Sequence, residues 1–196
     1  MKEVITVSMA ICVFCSSQDQ IHPKYFDVAR ELGAAIGQRG YTLVYGAGRI
    51  GLMGEVARAV QAHGGRVVGV IPEALNQNGI VYEEADELIV TRDLRERKGI
   101  MDRRSDAFVA LPGGFGTMDE VFETLTLKQL RYHNRPLVFL DVDGFFEPVA
   151  RLLDRIVDDG FALEHHRNLY QFVYDVPSVF EYLESYEPPE VWGKWA

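Results

Sequence analysis

Leu111-Pro112-Gly113-Gly114-Phe115-Gly116-Thr117-Met118-Asp119-Glu120 closes an apolar run, Ala107 to Leu111, and opens an amphipathic one. That order reads as a strand, a glycine turn and the start of a helix. Three glycines within four positions let the backbone approach a ligand closely with its N–H groups exposed, and the helix that follows adds a positive dipole end. The element suits an anion, above all a phosphate. Thr117 and Glu120 also have the spacing of a capping box, in which the threonine accepts from the third helical N–H and the glutamate folds back on the cap. Glu120 therefore carries a structural reading beside a chemical one.

Working outward, strand-like and helix-like runs alternate. Met9–Cys15 is strand-like, and Tyr25, Ala29, Leu32 and Ile36 repeat at helical spacing until Gly40. Tyr41–Tyr45 reads as a second strand, followed by Gly46-Ala47-Gly48-Arg49-Ile50-Gly51 and a helix to about His63. Arg66–Ile71 is a third strand, Pro72–Glu84 an irregular loop and Glu87–Val90 a fourth strand. Arg92–Arg104 is helical, Asp106–Leu111 the fifth strand, and the helix after the glycine turn runs to about Tyr132, with Val121, Leu125, Leu127 and Leu130 on its apolar side. Leu137–Leu140, a helix over Phe145–Val157, Leu169–Val173 and a last helix capped by Asp175 with Pro177 in its first turn complete the chain. Only the Pro188–Ala196 tail looks loose.

This alternation predicts a single α/β domain over residues 1–196, a Rossmann-like, doubly wound parallel sheet of about seven strands with helices on both faces. Ligands in such folds sit beyond the carboxyl ends of the strands, where the winding reverses. Placing Met9–Cys15 beside Asp106–Leu111 at that point gives the order 4-3-2-1-5-6-7. The Cys15-Ser16-Ser17 loop and the Gly113-to-Thr117 turn then flank one crevice.

Composition narrows the function. The 196 residues are 47% hydrophobic, enough to bury a sizeable core, and the net charge of −9 disfavours a nucleic-acid partner, which needs a basic face. The apolar stretch Val4–Cys15 lacks a small-x-small cleavage site and reads as a buried strand rather than a secretory signal. No run is long enough to span a membrane, so a cytoplasmic protein without a membrane partner is expected. Cys12 and Cys15, three apart on a strand, face opposite ways and read as packing residues rather than a redox pair or half a zinc site.

The Gly46-to-Gly51 segment fits G-x-G-x-x-G, but it follows the second strand rather than the first, and no acidic residue ends the next strand. Gly46 and Gly48 are read as part of a second glycine loop shaping the same cleft, not as a dinucleotide site. Six basic residues crowd Arg92–Arg104. Arg103 and Arg104 read as a solvated face, whereas Arg97 or Lys98 can reach the crevice, where arginine offers a fixed fork of donors. Asp141-x-Asp143-Gly144 reads as a turn after a strand, and His165-His166 as a surface pair.

The runs Arg97-Lys98-x-x-Met101, Ser105-Asp106-Ala107-Phe108-Val109-Ala110-Leu111 and Pro112-Gly113-Gly114-x-Gly116-Thr117-x-x-Glu120 resemble the Lonely Guy (LOG) family of cytokinin riboside 5′-monophosphate phosphoribohydrolases. Val13-Phe14-Cys15, Gly51-Leu52-Met53-Gly54, Val70-Ile71-Pro72 and Asp141-Val142-Asp143-Gly144 extend the likeness over nearly the whole chain. The resemblance implies hydrolysis of the N-glycosidic bond of a nucleoside 5′-monophosphate, AMP or an N6-substituted AMP, to free base and ribose 5-phosphate. It makes Arg97 and Glu120 the catalytic pair and places Lys98 and Thr126 at the substrate, where the loops flanking the crevice add Ser17, Gly46 and Gly48. Gly113, Gly114, Gly116 and Thr117 hold its phosphate. It also implies a homodimer with the helix after Gly116 near the interface, and no metal or organic cofactor. Ser16 and Ala47 stand where the family usually has glycine, which bears on base preference. The rival readings are a non-catalytic nucleotide sensor of the same fold and, disfavoured by charge, a single-stranded DNA-binding module.

Overall fold

In the computed structural model, which describes residues 8–189, seven parallel strands form one sheet in the order β4-β3-β2-β1-β5-β6-β7. The elements are β1 (Ala10–Phe14), α1 (Pro23–Gln38), β2 (Thr42–Tyr45), α2 (Gly51–Ala62), β3 (Arg66–Pro72), β4 (Glu87–Thr91), α3 (Leu94–Arg103), β5 (Ala107–Ala110), α4 (Phe115–Gln129), β6 (Leu137–Leu140), α5 (Glu147–Asp158), β7 (Gln171–Val173) and α6 (Val176–Glu184). This is the expected order of strands. Residues 1–7 and 190–196, which include the start of the Val4–Cys15 run and most of the tail, lie outside the described residues.

Two apolar layers result from the period-2 alternation of the strands. Ile11 and Val13 face α1, α2 and α6, while Cys12 and Phe14 face α3, α4 and α5. Right-handed crossovers explain the split. Steps outward from β1 to β3 place α1 and α2 on one face, and the return from β4 to β5, continued to β7, places α3, α4 and α5 on the other. The cysteines separate as expected, Cys12 into one layer and Cys15 into the other. Burial pushes both thiols well up, so neither is a reactive thiolate.

Several boundaries differ from the sequence reading for identifiable reasons. α3 starts at Leu94 rather than Arg92, because the Asp93 carboxylate accepts from the N–H groups of Arg95 and Glu96 at 2.9 and 2.8 Å. α4 ends at Gln129, and Leu130 is exposed instead of joining the apolar side. The loop after β3 contains a 3₁₀ turn, Glu73–Leu75, and a bridge from Val81 to Gly48. A second 3₁₀ segment, Glu164–Leu169, precedes β7 and corrects the surface reading of His165-His166. It turns His166 inward, where its Nδ1 accepts from the Leu163 N–H at 3.0 Å. Asp141 behaves as a turn residue, its carboxylate accepting from the Phe146 N–H at 2.9 Å, and Asp175 caps α6 through the Ser178 N–H.

His133, after α4, packs on Phe108, and its two ring nitrogens meet the Thr124 carbonyl and the Arg135 N–H. Burial, reinforced by the charge of Arg135, brings its pKa down to about 4. The folded chain keeps this ring neutral while an unfolded histidine protonates near ~6.5. The unfolded state therefore binds the extra proton between these values, and stability falls as pH drops from about 6.5 to about 4. His133→Gln is expected to flatten that part of a stability-against-pH curve from denaturant titrations. An unchanged slope would remove the assignment.

Candidate active site

The crevice opens where the winding reverses, between β1 and β5, whose register pairs Ile11 with Ala107 and Phe14 with Ala110. The Ser16 N–H donates to the Pro112 carbonyl at 3.3 Å, which ties the loop after β1 to the glycine turn after β5. On the turn side, α4 begins at Phe115 with Gly114 as its N-cap and no side chain capping it. A methyl group added at Gly114 or Gly116 would meet nothing within 4 Å, and Phe115 is 97% exposed. The first-turn N–H groups of α4 thus face open space, as an anion site requires.

The capping-box reading of Thr117 and Glu120 is corrected here. Thr117 lies inside the helix, 4% exposed, packed so closely on Gly113 that a Cβ there would collide with its hydroxyl. Glu120 does not fold back on the cap. Its Oε1 accepts from Arg97 Nη1 at 2.8 Å, and both side chains are buried, at 6% and 9% exposure. Arg97 reaches across from α3, and its Nε donates to the Val70 carbonyl at the end of β3 at 2.9 Å. Burial raises the Glu120 carboxyl above its ordinary value, an effect that the charge of Arg97 only partly opposes.

Gly46 stands behind this pair. A Cβ at that position would collide with Arg97 Nη2, so the glycine clears the space the guanidinium fills. Gly48 packs on Met53. Both therefore back the cleft instead of opening into it. The G-x-G-x-x-G segment also differs from the other glycine turn in its helix start, since the Asp19 carboxylate accepts from the Gly51 N–H at 2.6 Å and the Ser16 carbonyl accepts from the Met53 N–H at 3.2 Å. The N-terminus of α2 is thus already occupied by a carboxylate, where a dinucleotide fold needs a free anion site.

Lys98, next to Arg97, is held by Asp119 at 2.9 Å and by Glu123. Burial opposes its charge, but the hydrogen bonds to Glu123 and Asp119 outweigh that, so its pKa is raised and it stays an ammonium. Together with Glu120 it lines a cavity of about 210 Å³ between α3 and α4, floored by Phe14 and Phe108. Ser17 lies exposed in the loop after β1. Thr126 is not brought to this place. Its hydroxyl donates to the Phe122 carbonyl at 2.7 Å, and it borders a separate groove of about 170 Å³ with Ile156, Phe161 and His166.

Sequence reasoning missed Asp19, the Val70 carbonyl and the carboxylate clamp on Lys98. Only the clamp left a trace, as Asp119 and Glu123 recur four apart on one helical face, one turn apart.

Residues 53–183 match a family model described as "Possible lysine decarboxylase". A protein of Oryza sativa subsp. japonica named "Probable cytokinin riboside 5'-monophosphate phosphoribohydrolase" is 45% identical over 91% of this chain and 78% of its own length. A cytokinin riboside 5′-monophosphate phosphoribohydrolase of Arabidopsis thaliana is 40% identical over the same shares. Among solved structures, a molybdenum cofactor binding protein of Rippkaea orientalis superposes with a TM-score of 0.71 at 21% identity, covering 91% of this chain and 96% of that one. That likeness concerns the fold.

Proposed function

Because this chain belongs to the family of the cytokinin riboside 5′-monophosphate phosphoribohydrolases, we propose that it hydrolyses the N-glycosidic bond of a nucleoside 5′-monophosphate, AMP or an N6-substituted AMP, releasing base and ribose 5-phosphate. One observation carries the chemical side of this reading: a buried carboxylate, Glu120, sits one helical turn beyond the open N-terminus of α4. The four residues from Gly116 to Glu120 rise about 6 Å, so a phosphate bound at Gly114–Gly116 brings its ribose to the carboxylate.

Breaking the bond builds positive charge on the ribose. The Glu120 carboxylate stabilises that charge and orients the water whose oxygen joins the anomeric carbon, while the departing base nitrogen keeps the bonding pair and takes up a proton. With its guanidinium committed to Val70, Glu120 and the space over Gly46, Arg97 acts by holding this carboxylate ionised and aimed. The binding energy of the remote phosphate then orients the reacting sugar.

A lysine decarboxylase would need a neutral amine to hold pyridoxal phosphate, and Lys98 at the cleft is instead a doubly paired ammonium. The residues present do not fit that cofactor. The paired Arg97 and Glu120 favour hydrolysis over simple nucleotide sensing, the second reading.

Incubation with AMP and with adenosine tests the proposal. Two charge-assisted hydrogen bonds to the phosphate, at ~1.5–3 kcal/mol each, correspond to roughly 10²–10⁴ in kcat/KM, so adenosine should be cleaved that much more slowly. Equal turnover would defeat phosphate anchoring, and tight AMP binding without turnover would favour the sensor.

The proposal includes a homodimer, a cytoplasmic setting and no nucleic-acid or membrane partner. On α4 and just beyond it, Phe122 and Leu125 are only partly buried, and Leu130 and Tyr132 are exposed. No helix of the described residues is long and apolar enough to cross a membrane. Light scattering at micromolar concentration is expected to give twice the chain mass, and a monomer would refute the assembly.

A further inference from the structure

Lys128 lies in the last turn of α4, away from the site above. Its side chain is 1% exposed, and Nζ, with less than 1 Å² accessible, has no hydrogen-bond partner among the described residues. The ring of Tyr186, from the segment after α6, lies under it at 5.0 Å, and the Tyr186 hydroxyl is likewise buried without a partner among the described residues. An unpaired buried ammonium is costly, and a neutral amine is the cheaper occupant. Burial accordingly brings this amine down to about 8.

The side chain borders a cavity of about 350 Å³ whose other walls are Arg131, His133 and Asn134. Among the described residues, Arg131, His133 and Tyr186 are the charged and titratable groups that face it. His133 has both nitrogens engaged and stays neutral, so it neither supplies nor takes the proton of Lys128. The surroundings suit an anion formed in place better than one that arrives. A hydrated ion would have to shed its water to touch an Nζ that solvent does not reach, whereas an uncharged gas need not.

We propose that Lys128 is a carbamylation site, its Nζ combining with carbon dioxide to give a lysine carbamate. The nitrogen lone pair forms the N–C bond, one C=O pair moves onto oxygen, and a proton leaves to solvent, with no change of oxidation state. The carbamate oxygens then offer acceptors to the orphaned Tyr186 hydroxyl and a negative charge to the Arg131 wall. Occupancy falls below about pH 8 as the amine protonates.

The full chain, equilibrated with ¹³C-labelled bicarbonate near pH 8.5, is examined by ¹³C NMR, then trapped with a trialkyloxonium reagent and mapped by peptide mass spectrometry. The expected result is a carbamate resonance and a trapped carboxyl group on the peptide bearing Lys128, both absent from Lys128→Met and distinct from any signal of the α-amino group, which is also neutral at this pH. Lys24 and Lys98, protonated through their ion pairs, serve as internal controls in the same digest. No adduct on Lys128, or equal labelling of Lys24 and Lys98, overturns the proposal. Because the map is made on the unsubstituted protein, it stands even if Lys128→Met fails to fold.

Discussion

Glu120→Gln is expected to bind AMP and turn it over at least roughly a hundredfold more slowly, the usual cost of losing one preorganised electrostatic contact in a transition state. The amide preserves volume and still accepts from Arg97 Nη1, but it neither balances a ribosyl cation nor takes a proton from water. Removing one partner of a buried ion pair altogether costs about 3–5 kcal/mol, and keeping an acceptor makes the loss smaller, so the variant should fold. AMP binding by calorimetry confirms that it has. The pH profile adds a second readout. Only the ionised carboxylate works, so the wild-type rate falls as pH drops through the raised pKa of Glu120, and the variant's residual rate lacks that limb. Turnover within a few fold of wild type would move the role elsewhere, with Asp119 the first alternative.

Gly46→Ala is the second large effect, although Gly46 itself need not touch substrate. Its added methyl would occupy the position of Arg97 Nη2, and Met53 closes the other side at 3.0 Å. Arg97 must move, and with it the hydrogen bonds to Val70 and Glu120. Misplacing a catalytic group by about 1 Å can cost on the order of a hundredfold, so kcat is expected to fall by about that much while KM for AMP, set mainly at the α4 N-terminus, changes little. A rise in KM at constant kcat would instead place Gly46 against the substrate, as the sequence reading of a second glycine loop at the cleft has it. Gly48→Ala, which meets Met53 rather than Arg97, should be milder and is a useful comparison.

The architecture was legible because its signals are local. Apolar runs bounded by glycine and proline, helical spacing between them, and the right-handed rule for crossovers suffice for seven strands in the observed order. The Pro112-to-Glu120 stretch likewise located the open helix start of α4, since a strand, a glycine turn and a helix start are contiguous in the chain. Errors fell where a side chain had two local options. Thr117 and Glu120 have capping-box spacing, and nothing within four residues shows that Arg97 claims the carboxylate.

Family, fold class, the order of strands and the glycine turn before α4 were therefore determined by the sequence alone. Tertiary structure decided which of two glycine turns keeps an open helix start: Asp19, 32 residues before Gly51, closes one, while no side chain of the described residues caps the other. It also decided that Arg97 and Glu120, 23 residues apart, form one buried pair over Gly46, and that Thr126 turns to another groove. Periodicity reports which face of an element is buried, because burial repeats with the backbone. It is silent on which polar group meets which across the sheet, because that depends on how separate helices are packed above the same strand ends.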